Sequence, residues 1–369
     1  MNVLILPRCK SQFIDRGTRL VEDYIQYDHL FQAYWKHFKA AGWHCSLFGS
    51  DSFFFPARFA YRSPKLYDFL RKAMRKTGLY KIDRYLYTHS LARRVNSLGI
   101  DLIFTEVNFN VDSELLAKLC PKLTLTQWFG ILPDLLSPDD IRIVNGYHLN
   151  LCPVDYDAWL QEKGIDPSTF FYASCGAVDT DLIYHEEDTD YAHDICFVGG
   201  LGPVHSNRLE LLEAVAQRFD SFAFYGYGEE HIPDGYLLKQ RFKGWADHTE
   251  LRKIFSSCKV AINISSINYD RIVRGYNIRT LEIPACNGAL QICNEHPNLN
   301  EFFEEGKEII TYTDIPDLLD KASYYLSDES KRASIVTKAY ERCLAHSYTA
   351  KMPSILAAIE ASRINRVSL

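Results

Sequence analysis

Asn277, Arg279 and Glu282 are spaced to do chemistry on a phosphate and a sugar ring. A helix beginning near Asn277 presents backbone N–H groups and the positive end of its dipole, which suit an anion. Arg279 adds a planar guanidinium fork for phosphate oxygens. Glu282, one turn on, is able to accept from two neighbouring hydroxyls, as on a ribose. Phosphate and ribose together describe a nucleotide. The same spacing also suits a plain Arg–Glu i,i+3 ion pair on a surface helix, and spacing alone leaves both readings open.

The flanking elements favour a crevice. Lys259–Ser265 is a short β-branched run, the pattern of a buried parallel strand. Polar residues 266–277 leave it at its carboxyl end. The helix that follows stops at Asn287-Gly288, and residues 289–293 form the next strand. In open α/β sheets ligands bind outside the carboxyl ends of the strands, which is where this order puts all three side chains. Upstream, residues 194–200 (DICFVGG) form a strand ending in Gly199-Gly200, a place where backbone can approach a ligand closely, and Asn207-Arg208 opens the next helix. Residues 221–225 form a strand with Gly226-Tyr227-Gly228 as its exit turn. Lys243-Gly244-Trp245 precedes a helix starting at residue 248 or 249, and Trp245 reads equally as a core anchor.

The pattern Asn277-x-Arg279-x-x-Glu282-x-x-Ala285-Cys286-x-Gly288 resembles the donor-site signature of GT-B glycosyltransferases, and most closely that of the CgeB-like (spore-maturation type) branch. Residues 302–309 (FFEEGKEI) and 346–352 (HSYTAKM) resemble that branch as well, and the likeness covers roughly residues 194–352. The resemblance implies two Rossmann-like domains with parallel sheets facing an interdomain cleft. It implies donor phosphates at Gly199, Gly200 and Arg208, a nucleobase along Lys243, Gly244 and Trp245, and a ribose at Glu282. Many retaining relatives carry an earlier glutamate at the position held here by Arg274, so the chain departs from that pattern.

The first half reads as a second Rossmann-like unit. Residues 2–6 (NVLIL) form a strand whose exit loop, residues 7–17, holds Arg8, Lys10 and Arg16. Residues 18–41 form a helix with an aromatic face, and residues 43–48 return as a strand. Further strands are expected at 100–105, 123–128 and 147–154. Glu106, Asn108, Gln127 and Asp134 stand at strand ends, and a carboxylate there would serve as the base of an inverting transfer, Glu106 before Asp134. Residues 175–181 resemble the Gly-Val-Asp turn that leaves the first domain in GT-B proteins. The D-x-D spacings at 179–181 and 188–190 lie in an acidic connector and are not read as a metal site. The expected domains are 1–185 for the acceptor, 190–345 for the donor, and a terminal helix, 346–369, crossing back to the first.

Bulk properties agree with a two-domain globular chain: 369 residues, 47% hydrophobic and 24% charged. A net charge of −6 argues against nucleic acid as a partner. The ten cysteines show no C-x-x-C pair and read as reduced thiols in a cytoplasmic protein. No apolar run approaches the ~20 residues of a membrane span, and residues 1–6 read as a strand rather than a signal peptide. Residues 58–94 carry eleven Lys or Arg against two Asp, so the rest of the chain carries −15. Within them, residues 64–76 make a basic amphipathic helix. It would lie on an anionic membrane at the inner face, attract a lipid-diphosphate acceptor, or pack on the first domain with a charged outer face.

The function expected from residues and resemblance is transfer of a sugar from a nucleotide-diphosphate sugar to a hydroxyl of a glycan or lipid-linked acceptor, with no organic cofactor and no metal. The alternatives are a nucleotide-sugar 2-epimerase on the same fold and a non-catalytic nucleotide- or sugar-binding module.

Overall fold

The computed structural model describes residues 1–6, 29–48, 53–54, 64–131, 133–172, 178–265, 277–296 and 298–367. The expected loop at 7–17, the start of the basic segment at 58–63, the turn residues 175–177 and Arg274 lie outside them. The chain divides into two compact units, residues 1–173 with 352–369, and residues 174–351.

The first unit is built on six parallel strands: β1 (Asn2–Leu6), β2 (His44–Leu47), β3 (Leu102–Glu106), β4 (Thr124–Trp128), β5 (Leu149–Cys152) and β6 (Phe170–Tyr172). Their order is β2-β1-β3-β4-β5-β6. The reversal of order falls between β1 and β3, whose register pairs Leu6 with Thr105. Helix α1 (His29–Ala40) lays Phe31, Tyr34 and Phe38 against Phe104 of β3, Tyr34 stacking at 4.4 Å between ring centroids. This is the expected aromatic face; buried rings of this size cost about 3–5 kcal/mol each when truncated to Ala. Trp35 lies off that face, under the Lys39 ammonium. Two helices follow β2: α2 (Pro64–Thr77) and α3 (Tyr80–Leu98), the latter ended by Gly99 in a left-handed turn at φ 59°. Helix α4 (Ser113–Leu119) follows β3, α5 (Pro138–Asn145) follows β4, and α6 (Asp157–Glu162) follows β5.

The amphipathic reading of α2 is altered by the structure. Leu66 and Phe69 are exposed, 48% and 66%, while Met74 is buried. A helix with two large apolar side chains in solvent is not simply packed on the domain by its apolar face.

The second unit is built on five parallel strands: β7 (Ile195–Gly200), β8 (Phe222–Tyr227), β9 (Val260–Asn263), β10 (Leu290–Asn294) and β11 (Ile310–Tyr312), in the order β11-β10-β9-β7-β8. Helices cover both faces. Helices α9 (His248–Ser257) and α10 (Arg279–Ala285) bury Leu251, Ile254, Phe255, Leu281 and Ile283 on one side. Helices α7 (Leu209–Arg218), α8 (Leu237–Arg241) and α11 (Ile315–Ser327) bury Leu212, Leu238 and Leu318 on the other. With both faces covered, the strands are continuously apolar rather than alternating. Helix α12 (Glu329–Leu344) completes the layer, and α13 (Tyr348–Val367) carries the chain from the second unit into the first, where Ser362 Oγ donates to His148 O.

The division falls at 173–174, not at the expected 185–190. Val178 and Ile183 are core residues of the second unit, and Val178 exchanges backbone hydrogen bonds with His346 O and Tyr348 N. The aspartates of the acidic connector are spent on its own turns: Asp179 accepts from Asp181 N, and Asp188 accepts from Asp190 N and pairs with Lys253. The described cysteines are free thiols. Cys196, Cys286, Cys293 and Cys343 are buried in one apolar layer, and burial pushes the Cys286 thiol well up, which keeps it protonated and unreactive.

Candidate functional site

The second sheet reverses its order between β7 and β9, so its ligand crevice is expected where those two strands end. Arg208 lies across that point. Its Nη1 donates to Gly200 O at the end of β7 and its Nη2 to Ile264 O just past β9, each at 2.8 Å. The guanidinium also stands over the Phe197 ring, 5.5 Å from its centroid. Two strand ends that diverge at the reversal are thereby tied by one cation. His205, beside it, is held below its ordinary pKa by burial and then by the Arg208 charge.

Arg279 comes to the same strand end from the other helix layer. Its Nε donates to Val198 O of β7 at 3.3 Å, and its Nη1 pairs with Glu282 Oε2. The i,i+3 ion pair is therefore made. Glu282 is 1% exposed, so its carboxylate orients the Arg279 fork instead of standing open to a ribose. The expected cap is also displaced. Helix α10 starts at Arg279 with Ile278 at the cap position and no side-chain cap bond. The amides of Thr280, Leu281 and Glu282 are taken up within the turn by Asn277 O and Ile278 O, and the buried Asn277 Oδ1 has no hydrogen-bond partner. Helix α10 stops as expected: Asn287 adopts φ 47°, the single non-glycine positive φ among the described residues.

Gly199 and Gly200 make room for the protein itself. A Cβ on Gly200 would lie 2.3 Å from the Tyr227 ring, and one on Gly199 2.7 Å from the Phe197 ring. Gly226 is tighter still: with φ 143°, its Cβ would meet Gly199 O at 1.7 Å. The β7–β8 ends thus close on each other, and the space spared by the glycines is filled by aromatic rings.

Lys243, Gly244 and Trp245 form the loop along the end of β8. Lys243 N donates to Phe224 O and Gly226 N donates to Gly244 O, both at 2.8 Å, so those two loop groups are already used against the strand. Trp245 is 40% exposed and stacks on exposed Tyr227, 6.3 Å between centroids and 30° between planes. The core-anchor reading of Trp245 is thereby corrected. In sequence Tyr227 reads only as part of a glycine turn; an aromatic between two glycines at a strand exit is the available signal.

In the first unit, Glu106 ends β3, half-buried, in register with Trp128 of β4. Asp134 sits in a 3₁₀ turn and accepts from Trp159 Nε1 at 3.1 Å while pairing with Lys163 at 2.7 Å. That anchors helix α6 and makes it a poor base. Gln127 does not face an opening either: it is buried and donates to Asn150 Oδ1 at 2.7 Å inside the sheet. Buried Asn108 turns the chain after β3 by accepting from Asn110 N. Among the described residues, no group of three His, Cys, Asp or Glu is placed to hold a metal ion.

Comparison with known proteins bears on this arrangement in three ways. Residues 208–357 match the family described as glycosyl transferase-like. No curated protein matches the sequence. Among solved structures, Anabaena Alr3699/HepE in complex with UDP and glucose is similar at TM-score 0.62 and 12% identity, over 98% of this chain and all of that one. Sucrose-phosphate synthase from Thermosynechococcus elongatus is similar at TM-score 0.61 and 15% identity, over 99% of this chain and 98% of that one. The lipopolysaccharide outer core galactosyltransferase WaaB is similar at TM-score 0.57 and 13% identity, over 98% and 99%. The chain has the fold of these proteins: two α/β units on parallel sheets, the GT-B architecture.

Proposed function

We propose that this protein transfers a glycosyl group from a nucleotide-diphosphate sugar to an acceptor hydroxyl. The observation that carries the reading is the anchoring of Arg208 and Arg279 on carbonyls two residues apart at the end of β7, Gly200 O and Val198 O. As the glycosidic bond to the diphosphate breaks, negative charge grows on the leaving phosphate. Two prealigned guanidinium groups would stabilise that charge with little reorganisation. Glu282 acts by holding Arg279; a ribose contact from it would cost part of the ion pair. The Tyr227–Trp245 pair offers π-faces to a nucleobase. Support comes from the family match over residues 208–357 and from a similarly folded protein seen with UDP and glucose.

Glu106 is assigned as the base that takes the proton of the acceptor hydroxyl as its oxygen attacks the anomeric carbon. We place the chain in the CgeB-like branch on the residues of its donor signature. The acceptor is assigned as a cell-surface or lipid-linked glycan, with work done on the cytoplasmic side of a membrane. The support for that surface is α2, where exposed Phe69 shares a helical stripe with exposed Lys72 and Lys76. No helix among the described residues is long and apolar enough to cross a membrane.

The deciding experiment is a thermal-shift and calorimetry panel of nucleoside diphosphates and nucleotide-sugars. A bound donor at 100 times its Kd should stabilise the protein by about 2.7 kcal/mol, and Arg279→Ala should abolish the shift. Unchanged nucleotide affinity in that variant would refute the phosphate role. Conversion of a nucleotide-sugar to its epimer without an acceptor would replace transfer by epimerisation.

A further inference from the structure

A basin of about 440 Å³ opens in the first unit between α2, α3 and the loops that follow β3 and β4. It lies past the carboxyl ends of two neighbouring strands, where α/β sheets take their ligands. Its volume is within the range of small-molecule sites. Arg71, Arg75 and Arg84 line it, with Tyr80, Asn110 and Ser137 as neutral polar groups.

The charges of this basin are not equally committed. Asp139 is answered by Arg84 at 2.6 Å and by Arg142 at 3.3 Å, and these partners hold its carboxyl below its ordinary pKa against the opposing pull of burial. Asp140 is spent on the Ser137 capping box of α5. Arg71 donates to Asn110 Oδ1 and stands 3.7 Å from Asp83. Arg84 is buried and stacked over Tyr80 at 5.2 Å, yet its Nε has no hydrogen-bond partner. The Arg75 side chain is exposed and makes no hydrogen bond or ion pair among the described residues. Asp139 is therefore neutralised by fixed cations and Asp140 is held by Ser137, and the donor capacity left over belongs to guanidinium groups. An orphaned buried N–H is costly to maintain without a ligand to receive it.

We propose that this basin is the acceptor site and that it selects a glycan bearing a phosphate or carboxylate. Arg75 meets the anionic group as a planar fork, with Arg71 alongside. The flat faces of Tyr80 and Phe109 pack on the sugar ring, and Asn110 and Ser137 meet its hydroxyls. The loop that supplies Phe109 and Asn110 begins directly after Glu106, so the assigned base and the acceptor pocket grow from one strand end. This rests on the glycosyl-transfer reading, and its test is arranged to fail separately from it.

The experiment is titration calorimetry of the full chain with glucose 6-phosphate, glucuronate and glucose, and separately with UDP. Wild type is expected to bind both anionic sugars at least tenfold more tightly than glucose. Arg75→Glu is expected to weaken the anionic sugars at least tenfold and leave UDP affinity and the melting temperature unchanged. Arg208→Ala should do the reverse, which keeps sugar-phosphate binding at the donor site from being mistaken for this one. Phosphatidylglycerol vesicles added as competitor distinguish an anion presented at a lipid surface, which displaces the sugar, from a soluble one, which is not displaced; the pocket stands with either. Equal affinity for glucose and glucose 6-phosphate, no binding at all, or undiminished binding in Arg75→Glu with UDP affinity intact overturns the proposal. Loss of UDP binding in wild type would instead overturn the donor reading.

Discussion

The strand ends of the two sheets are furnished in opposite ways. In the second unit the crevice between β7 and β9 is prealigned: Arg208 and Arg279 are held by carbonyls and by Glu282, and rings fill the room above the glycines. In the first unit the corresponding edge is open, with an uncommitted arginine, a half-buried glutamate and a basin of ligand size. A group that must stabilise charge in a transition state works best when it need not move. A group that must accept varied hydroxyls is better left accessible. The proposed function puts binding of the leaving group in the second unit and acceptor chemistry in the first.

The largest effect that would break this division is on Glu106. Glu106→Gln keeps shape and hydrogen bonding but removes the proton acceptor, so turnover should fall by about 10²- to 10⁴-fold. Nucleotide affinity should stay within twofold, since the residue belongs to the other unit. Full turnover in a steady-state assay would remove Glu106 from the mechanism.

Arg279→Ala tests the closed side. It deletes the proposed phosphate contact and takes the Arg279 guanidinium away from the buried Glu282 carboxylate, so the fold should lose up to about 3–5 kcal/mol. The double variant Arg279→Ala/Glu282→Leu removes both charges and should recover most of that stability in a chemical-denaturation experiment. It should not recover nucleotide binding. A double variant that binds UDP like wild type would reduce the pair to the surface ion pair its spacing also allows.

How far the site was legible in sequence follows from the same contrast. Periodicity and strand-exit punctuation located β7, β9, β10 and α9 to within a few residues, because buried parallel strands and the turns that end them leave strong local signals. Arg208 and Arg279 were visible as cations at strand exits. What they hold was not, since a main-chain carbonyl as partner carries no residue signature. Gly199 and Gly200 carry a related ambiguity: each looks alike in sequence whether a ligand or an aromatic ring such as Phe197 or Tyr227 fills the space. Asp134 looked like a base until Trp159 and Lys163, 25 and 29 positions on, were brought against it. The basin went unseen because α2, α3 and two loops meet there from four separate stretches.

Acid sharpens the comparison at a smaller scale. Burial depresses His296 and His346 to about 4 in the second unit. Their unfolded pKa is near 6.5, so between pH 6.5 and about 4 the unfolded chain binds more protons than the folded one. Stability is then complete above pH 6.5 and falls as pH is lowered through that window, by at most about 1.4 kcal/mol per pH unit for each histidine. His346 packs on Phe302 at 5.2 Å, so His346→Phe should remove one share of the slope. Melting curves from pH 7 to 4.5 check this; a parallel slope in the variant would assign the acid sensitivity elsewhere.

The smallest effect concerns the two exposed rings of the closed side. Trp245→Ala removes a side chain already 40% in solvent, so stability should change by less than about 1 kcal/mol. If a base stacks there, the loss in nucleotide affinity should be about 1–3 kcal/mol, roughly five- to 150-fold. It should be equal for UDP and UDP-glucose, because the contact lies at the base and not at the sugar. Tyr227→Ala is a harsher change, for its ring also fills the space over Gly200; it should lose both affinity and stability. If Trp245→Ala leaves UDP affinity unchanged while Arg279→Ala abolishes it, the second unit grips the diphosphate alone, and selection among nucleotides must come from another part of the loop.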